Sequence, residues 1–172
     1  WLPLADDYLS ELLRLDGRGD AVAGCVNPTC AGSGVGEYCC LTCFGEGLYC
    51  HSCCVELHCS RPLCRIQHWT GVHFVQSSLQ RLGLHIQLGH AAWEYCPKPA
   101  PAHINFITIH VNGLHHVSVD YCGCERSATA GSLQEQLLHH QWYPATAYEP
   151  QTIITMECLR QFHILTLQGK VL

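Results

Sequence analysis

Apolar positions recur along the chain in two rhythms, separated by a stretch that has neither. Near the start, Tyr8, Leu9, Leu12, Leu13 and Leu15 supply one face of a 3.6-residue period. A short amphipathic helix is therefore predicted, with Asp6 as its cap and Gly17 as the residue that ends it. Residues 104–121 alternate instead, and predict a β-hairpin: Phe106 to Val111, a turn at Asn112-Gly113, then His115 to Tyr121. A two-residue Asn-Gly loop would pair Ile109 with His116 and leave the apolar faces out of phase. A three-residue loop through Leu114 pairs Ile109 with Val117 and Ile107 with Val119. Because a one-residue slip turns every side chain to the other face, the three-residue loop with a bulge is expected. Two helices should follow. Ser132-Leu133-Gln134-Glu135 spells a capping box ahead of Leu137 and Leu138. A second helix is expected from about Thr152 to Leu167, with Pro150 at its start and Ile154, Cys158, Leu159, Phe162 and Leu165 on one face.

Residues 25–64 fit neither rhythm. This stretch is rich in turns, with Gly32, Gly34, Gly36, Gly45 and Gly47, and it holds few large apolar side chains. Composition says what could order it. The 172 residues are 48% hydrophobic and only 13% charged, which belongs to a folded chain, yet they include fourteen Cys and thirteen His. Disulfides use Cys alone, whereas zinc uses Cys and His together, so the joint enrichment favours zinc over a secreted disulfide scaffold. Zinc contributes roughly 10–16 kcal/mol of folding free energy in small fingers at neutral pH, enough to order a stretch without a core.

The spacing assigns ligands. Cys40/Cys43 and Cys50/Cys53 are Cys-x2-Cys knuckles, each setting two thiolates on one side of a tight turn. His58 and Cys64 follow, and Cys25-x4-Cys30 precedes, its thiolates drawn together by an Asn27-Pro28 turn. Three pairs and a His/Cys tail fit an interleaved cross-brace. Cys25, Cys30, Cys50 and Cys53 would hold one zinc; Cys40, Cys43, His58 and Cys64 would hold a second. Cys39 and Cys54, out of knuckle register, read as buried small hydrophobes. Cys59 and His68 are substitutes for the tail, and His51 faces solvent.

A third set begins at Cys122-Gly123-Cys124, after the predicted hairpin. A Cys-x-Cys pair needs two more donors to close a tetrahedron, and Cys96 and His103, flanking the proline-rich turn Pro97 to Pro101, are the expected pair, with His115 as competitor. Plain core cysteines or a disulfide are the alternative. Cys158 is expected in the core, and His163 at its boundary rather than at a metal. His139 and His140 lie on a predicted helix.

The order of motifs carries a resemblance. LLRLDGRGD (Leu12 to Asp20), CLTCFGEGLYCHSCCVELH and RIQHW (Arg65 to Trp69) precede LHIQLGH (Leu84 to His90), NGLHHVSVDYCGCE (Asn112 to Glu125), QWYPAT (Gln141 to Thr146) and FHILTLQGK (Phe162 to Lys170). Together they resemble the CxC-type cysteine-cluster domain of fungal Kyakuja–Dileera–Zisupton (KDZ) transposases, over roughly Tyr8 to Lys170. The resemblance implies a zinc-binding module N-terminal to an RNase-H-like transposase core that assists DNA recognition or assembly. The family tail usually looks like His-x5-His, and Cys64 in the second position still ligates zinc. The cross-brace also looks like a B-box, which implies binding to a protein partner.

Charge and the remaining motifs narrow the function. DDE-type transposases hold two metal ions with three carboxylates, but Asp120, Glu125 and Glu135 stand isolated, and all-Cys/His sites leave no open position for hydrolysis. A non-enzymatic role is expected. A net charge of −5 with nine Lys and Arg is a poor footprint for gripping DNA alone. DNA would be contacted with help from other segments, and a protein partner or self-association is the competing expectation, with a secreted disulfide-rich structural protein as a further one. Arg18-Gly19-Asp20 spells an integrin-binding tripeptide but is more economically a glycine-rich helix exit. No apolar run approaches the ~18 residues of a membrane span, and no signal peptide is visible, so an intracellular, nuclear setting is expected. The chain begins at Trp1 rather than Met, as a fragment or processed product would. The expected architecture is a small irregular α+β, zinc-stabilised domain with a B-box-like cross-brace, a β-hairpin and flanking helices. It divides into a helix and linker over 1–24, the cross-brace over 25–70, and a hairpin with C-terminal helices and the third site over 71–172.

Overall fold

The computed structural model describes every residue except Trp1, Asp20, Val22, Ala23, Gly32, Ser33, Glu46, Lys170, Val171 and Leu172, and only the backbone of Leu2. Asp20 of the integrin-type tripeptide, Gly32 and Lys170 thus lie outside the described residues. The architecture is α+β and forms two compact units, Trp1–His58 with Cys64–Leu82, and Cys59–Leu63 with Gly83–Leu172. No helix among the described residues is long and apolar enough to cross a membrane.

The first unit opens with a 3-10 turn, Leu2–Leu4, that runs directly into helix α1, Ala5–Asp16. The helix thus starts one residue before Asp6. Leu4 is its N-cap and makes no side-chain capping bond, and Asp6 and Asp7 lie in the first turn, where carboxylates meet the positive end of the helix dipole. None of its described residues is buried, so the predicted apolar face faces outward. Strand β1 (Tyr38–Cys40), helix α2 (His51–His58), β2 (Ile66–Trp69) and β3 (Phe74–Ser77) follow. The three strands form an antiparallel sheet in the order β1-β2-β3, with Cys40 opposite Ile66 and Ile66 opposite Ser77. Because β3 pairs with β2, this unit extends past residue 70 to Leu82. Apart from cysteines, its buried apolar side chains among the described residues are Leu48, Ile66, Leu79 and Leu82. That is little core for its length.

The second unit contains β4 (His85–Gln87), β5 (Pro99–Pro101), β6 (Ile107–His110), β7 (Gly113–His116), β8 (Ser118–Cys122), α3 (Ser127–Ala130), α4 (Leu133–His139), β9 (Trp142–Pro144), β10 (Thr152–Thr155) and α5 (Met156–Gln168). One sheet has the order β4-β8-β5, the other β7-β6-β10-β9. Leu88, Phe106, Val117, Val119, Tyr121, Leu137, Trp142 and Ile153 form its core.

Two expectations are corrected here. The hairpin turns through Val111-Asn112 and pairs Ile109 with Leu114 and Ile107 with His116, so the expected three-residue loop and its register are wrong. Gly113, at φ 132°, takes the backbone conformation that side-chain-bearing residues avoid. The phase conflict is resolved by a change of sheet. Val117 N–H still reaches the Phe106 carbonyl at 3.1 Å, but β8 then joins β4 in parallel and β5 antiparallel. Val117 and Val119 thereby enter the core without facing Ile109 and Ile107.

The second correction concerns the last predicted helix. Thr152–Thr155 is a strand parallel to β6, as its β-branched run TIIT favours, and the helix begins only after Thr155, whose hydroxyl accepts from Cys158 N–H at 3.3 Å. Helix α5 buries none of its residues, and Cys158 is half-buried rather than core. The capping box at Ser132 forms as expected: Ser132 Oγ accepts from Glu135 N–H at 3.3 Å and Glu135 Oε2 accepts from Ser132 N–H at 2.7 Å. Truncating Phe106, which is fully buried at the middle of this core, to alanine should cost about 3–5 kcal/mol. Denaturant unfolding followed by intrinsic fluorescence checks it.

Candidate metal centres

In the first group, Cys25 and Cys30 lie on a loop ahead of β1. The turn between them closes through Cys30 N–H to the Asn27 carbonyl at 3.0 Å. Asn27 Oδ1 stiffens it by accepting from Thr29 N–H at 3.2 Å and the Thr29 hydroxyl at 2.9 Å, while Asn27 Nδ2 donates to Cys53 Sγ at 3.2 Å. Cys50 immediately precedes α2 and Cys53 sits in its first turn. The four sulfurs lie within 4.8 Å of one another, with Cys30 and Cys50 at 3.8 Å.

The second group shares that helix. Cys40 ends β1, Cys43 follows in a knuckle whose N–H reaches Cys40 Sγ at 3.3 Å, His58 is the last residue of α2, and Cys64 comes just before β2. Leu41 N–H donates to the Arg65 carbonyl at 2.8 Å and Arg65 N–H to Thr42 Oγ1 at 3.0 Å, which ties the knuckle to the Cys64 end. Cys43 Sγ is 3.9 Å from Cys64 Sγ and 3.6 Å from His58 Nε2. His58 Nδ1 lies 2.7 Å from the Cys54 carbonyl, which can only accept, so Nδ1 carries the proton and Nε2 faces the thiols. Helix α2 thus serves both groups, Cys53 at one end and His58 at the other.

The third group lies in the second unit and comprises His90, Cys96, Cys122 and Cys124. Cys122 ends β8, and its peptide is clamped by buried Gln136 on α4: Cys122 N–H donates to Gln136 Oε1 at 2.8 Å and Gln136 Nε2 donates to the Cys122 carbonyl at 3.3 Å. Cys96 N–H is held by the Gln87 side-chain carbonyl. Cys122 and Cys124 sulfurs are 3.4 Å apart, and Cys124 Sγ is 3.6 Å from His90 Nε2. Gly89, at φ 74°, lets the His90 segment approach β8; a Cβ there would sit 2.8 Å from Cys122 Cβ.

His103, the expected fourth donor, is not in this group. It is exposed, and its Nδ1 accepts from Asn105 N–H at 3.1 Å, because the chain after Pro101 leads away along β6. His115 is likewise engaged elsewhere, its Nε2 lying 2.6 Å from Asn112 Oδ1 in the hairpin. The sequence did hold a signal for His90: His90-x5-Cys96 repeats the spacing of His58-x5-Cys64. The other expected donors fall together as Cys25/Cys30/Cys50/Cys53 and Cys40/Cys43/His58/Cys64, and Cys96, Cys122 and Cys124 meet in the third group. Cys39, Cys54, Cys59, His51, His68 and His163 belong to none of the three.

The geometry fits a tetrahedral dication. With Zn–S near 2.3 Å and Zn–N near 2.05 Å, a tetrahedron separates two sulfurs by about 3.8 Å and a sulfur from a nitrogen by about 3.6 Å. The observed S···S separations of 3.8 and 3.9 Å and S···N separations of 3.6 Å match those values, and the Cys122–Cys124 pair, at 3.4 Å, is somewhat closer. They are far from a disulfide at about 2.05 Å, and all fourteen cysteines are free thiols, so the disulfide scaffold finds no bonded pair. Each group could hold a metal ion, and the donor chemistry is consistent with zinc.

Proton affinities show how crowded the thiols are. The Ser52 hydroxyl, with the Cys53 backbone N–H, brings the Cys50 thiol down to about 6. The Asn27 amide favours the Cys53 thiolate, yet burial and the adjoining thiols push Cys53 up to about 12. Burial, with Cys40 and Cys43 alongside, does the same to Cys64, also about 12. Contact with the Cys54 side chain, against burial, holds His58 up at about 9. In the third group burial opposes the Cys96 thiolate, but the Lys98 and Gly123 N–H groups bring it down to about 7, while burial and Cys124 raise Cys122. In the first and third clusters one thiol, Cys50 or Cys96, ionises readily while a neighbour is held protonated, and in the second Cys64 is held protonated. A bound dication would reverse that by replacing the retained protons.

A family model described as a CxC2-like cysteine cluster associated with KDZ transposases matches residues 79–172, more than half of the chain. The matched span contains the third group and leaves the first two outside it. No curated protein and no solved structure matches the chain. Gly89→Ala should disrupt the third group while sparing the other two; native mass spectrometry should show one fewer metal ion per chain than wild type.

Proposed function

The chain belongs to the family of CxC2-like cysteine clusters associated with KDZ transposases, and we propose that it acts there as a non-catalytic zinc-binding accessory module assisting DNA recognition or assembly. The observation that carries this reading is the donor composition. Each of the three groups offers four Cys or His atoms and no carboxylate, the set that closes a structural zinc tetrahedron. A hydrolytic centre would instead need an open position and a nearby general base. Zinc, when bound, supplies folding free energy and charge neutralisation. The chain's own residues do the rest: Asn27 and Thr42 fix the knuckles, the Cys54 carbonyl orients His58, and Gln136 fixes the Cys122 peptide.

Three zinc ions per chain are expected by native mass spectrometry. Acidification should release them, because every ligand must lose its proton to bind, and thiols pushed as high as Cys53 and Cys64 give up theirs only to the metal. Zinc retention should therefore fall steadily as pH drops below neutrality, measured by metal analysis after gel filtration.

The DNA role rests on the family association, and the net charge of −5 assigns most of the phosphate contact to segments outside this chain. In a full-length protein containing this module, binding to element ends should weaken steeply with salt; no binding at low salt would sink the proposal. A nuclear setting goes with this role. A second reading, a B-box-like module for protein interaction or self-assembly, is favoured by the outward apolar side chains of α1 and α5, among them Leu12, Leu13, Phe162 and Leu165. A strictly monomeric chain that captures no partner would count against it.

A further inference from the structure

His90 is the third group's only imidazole, and a ring nitrogen ligates only when its proton is on the other nitrogen. Its side chain is 3% exposed, with Nε2 toward Cys124 and Nδ1 turned to two opposite charges. Glu94 Oε2 lies 3.6 Å from Nδ1, and Arg126 Nη1 lies 3.5 Å from the same atom. The two demand opposite tautomers. A carboxylate can only accept, so it favours Nδ1–H and leaves the Nε2 lone pair facing the thiols. A guanidinium can only donate, so it favours a bare Nδ1 and a proton on Nε2, which would block ligation.

Arg126 is held away from that second arrangement. Its Nη1 donates to Glu94 Oε2 at 2.8 Å, far shorter than its approach to His90, so Glu94 both satisfies the guanidinium and offers the acceptor that Nδ1 needs. The second group solves the same problem with a backbone group, His58 Nδ1 against the Cys54 carbonyl. A backbone carbonyl cannot be mutated away or drawn off by a competing cation. The third group therefore depends on a side chain where the second does not.

We propose that Glu94 is the positioning residue of the third group, holding His90 as the Nδ1–H tautomer and keeping Arg126 from inverting it. The inference rests on the zinc-binding reading above. It makes His90, unlike His58, a ligand whose tautomer responds to substitution of a side chain outside the ligand set. Outer partners of metal-bound histidines typically control affinity by about 10–100-fold.

The test uses the full chain loaded with zinc. Long-range 1H–15N NMR of the wild type should show His90 protonated at Nδ1 and metallated at Nε2. Glu94→Ala should speed release of one zinc of three to a chromogenic chelator by about 10–100-fold and leave the other two unchanged. Glu94→Gln, whose amide oxygen can still accept, should recover part of the loss. Arg126→Ala should keep the wild-type tautomer, since Glu94 remains. Zinc bound through His90 Nδ1, or unchanged release in Glu94→Ala, would overturn the role of Glu94 while leaving the zinc reading intact. A wild-type chain that takes up no zinc would overturn both.

Discussion

Ten thiols and two imidazoles converge into three groups whose donor atoms lie within 4.8 Å of one another, and that convergence governs the rest of the molecule. Burial, together with the crowding of the thiols, makes each cluster retain a proton on its most buried thiol, Cys53, Cys64 and Cys122. A dication would remove the conflict, and in the first two groups the S···S separations of 3.8 and 3.9 Å already match the edge of a zinc tetrahedron. The first unit has little apolar core besides, with Leu48, Ile66, Leu79 and Leu82 as its buried members apart from cysteine. Its fold leans on the donor groups in a way the second unit's does not.

The two units use their donors differently. In the first, a single helix of eight residues serves both groups, so the groups and α2 fix one another. In the second, a conventional core of Leu88, Phe106, Val117, Val119, Tyr121, Leu137, Trp142 and Ile153 sets the strands, and the donors hang from their ends. There the chain invests in precise backbone contacts: the Gln136 clamp on Cys122, and Gly89 where no side chain would fit. The family match covers this second arrangement, which connects the shared identity to the core-supported group rather than to the interleaved pair.

The zinc-module reading gives each of these features a role without asking for catalysis. On that proposal, closed Cys/His sets would stabilise the fold, and the outward apolar faces of α1 and α5 together with a net negative charge would suit contacts with protein better than direct contact with DNA. Asp120, one of the isolated acids, is in contact with His85 Nδ1 at 3.0 Å and lies in no metal group.

Much was legible in the sequence because ligand spacing is local chemistry. A Cys-x2-Cys turn brings its sulfurs together whatever surrounds it, so the donors from Cys25 to Cys64 could be sorted into two sets, and the Ser132 capping box could be read from four residues. Spacing alone reached its limit where partners are far apart in the chain. His90-x5-Cys96 repeats the His58-x5-Cys64 spacing, but that pair meets Cys122 and Cys124 only because β4 and β8 pair in parallel across more than thirty residues. The hairpin register and the strand Thr152–Thr155 failed for the same reason. Whether Val117 and Val119 pair across a hairpin or enter a second sheet is decided by which core they bury against, and β10 exists because β6 offers it a parallel edge. Local donor grammar is written in the sequence; the long-range pairings that complete it are set by burial, which only the tertiary structure decides.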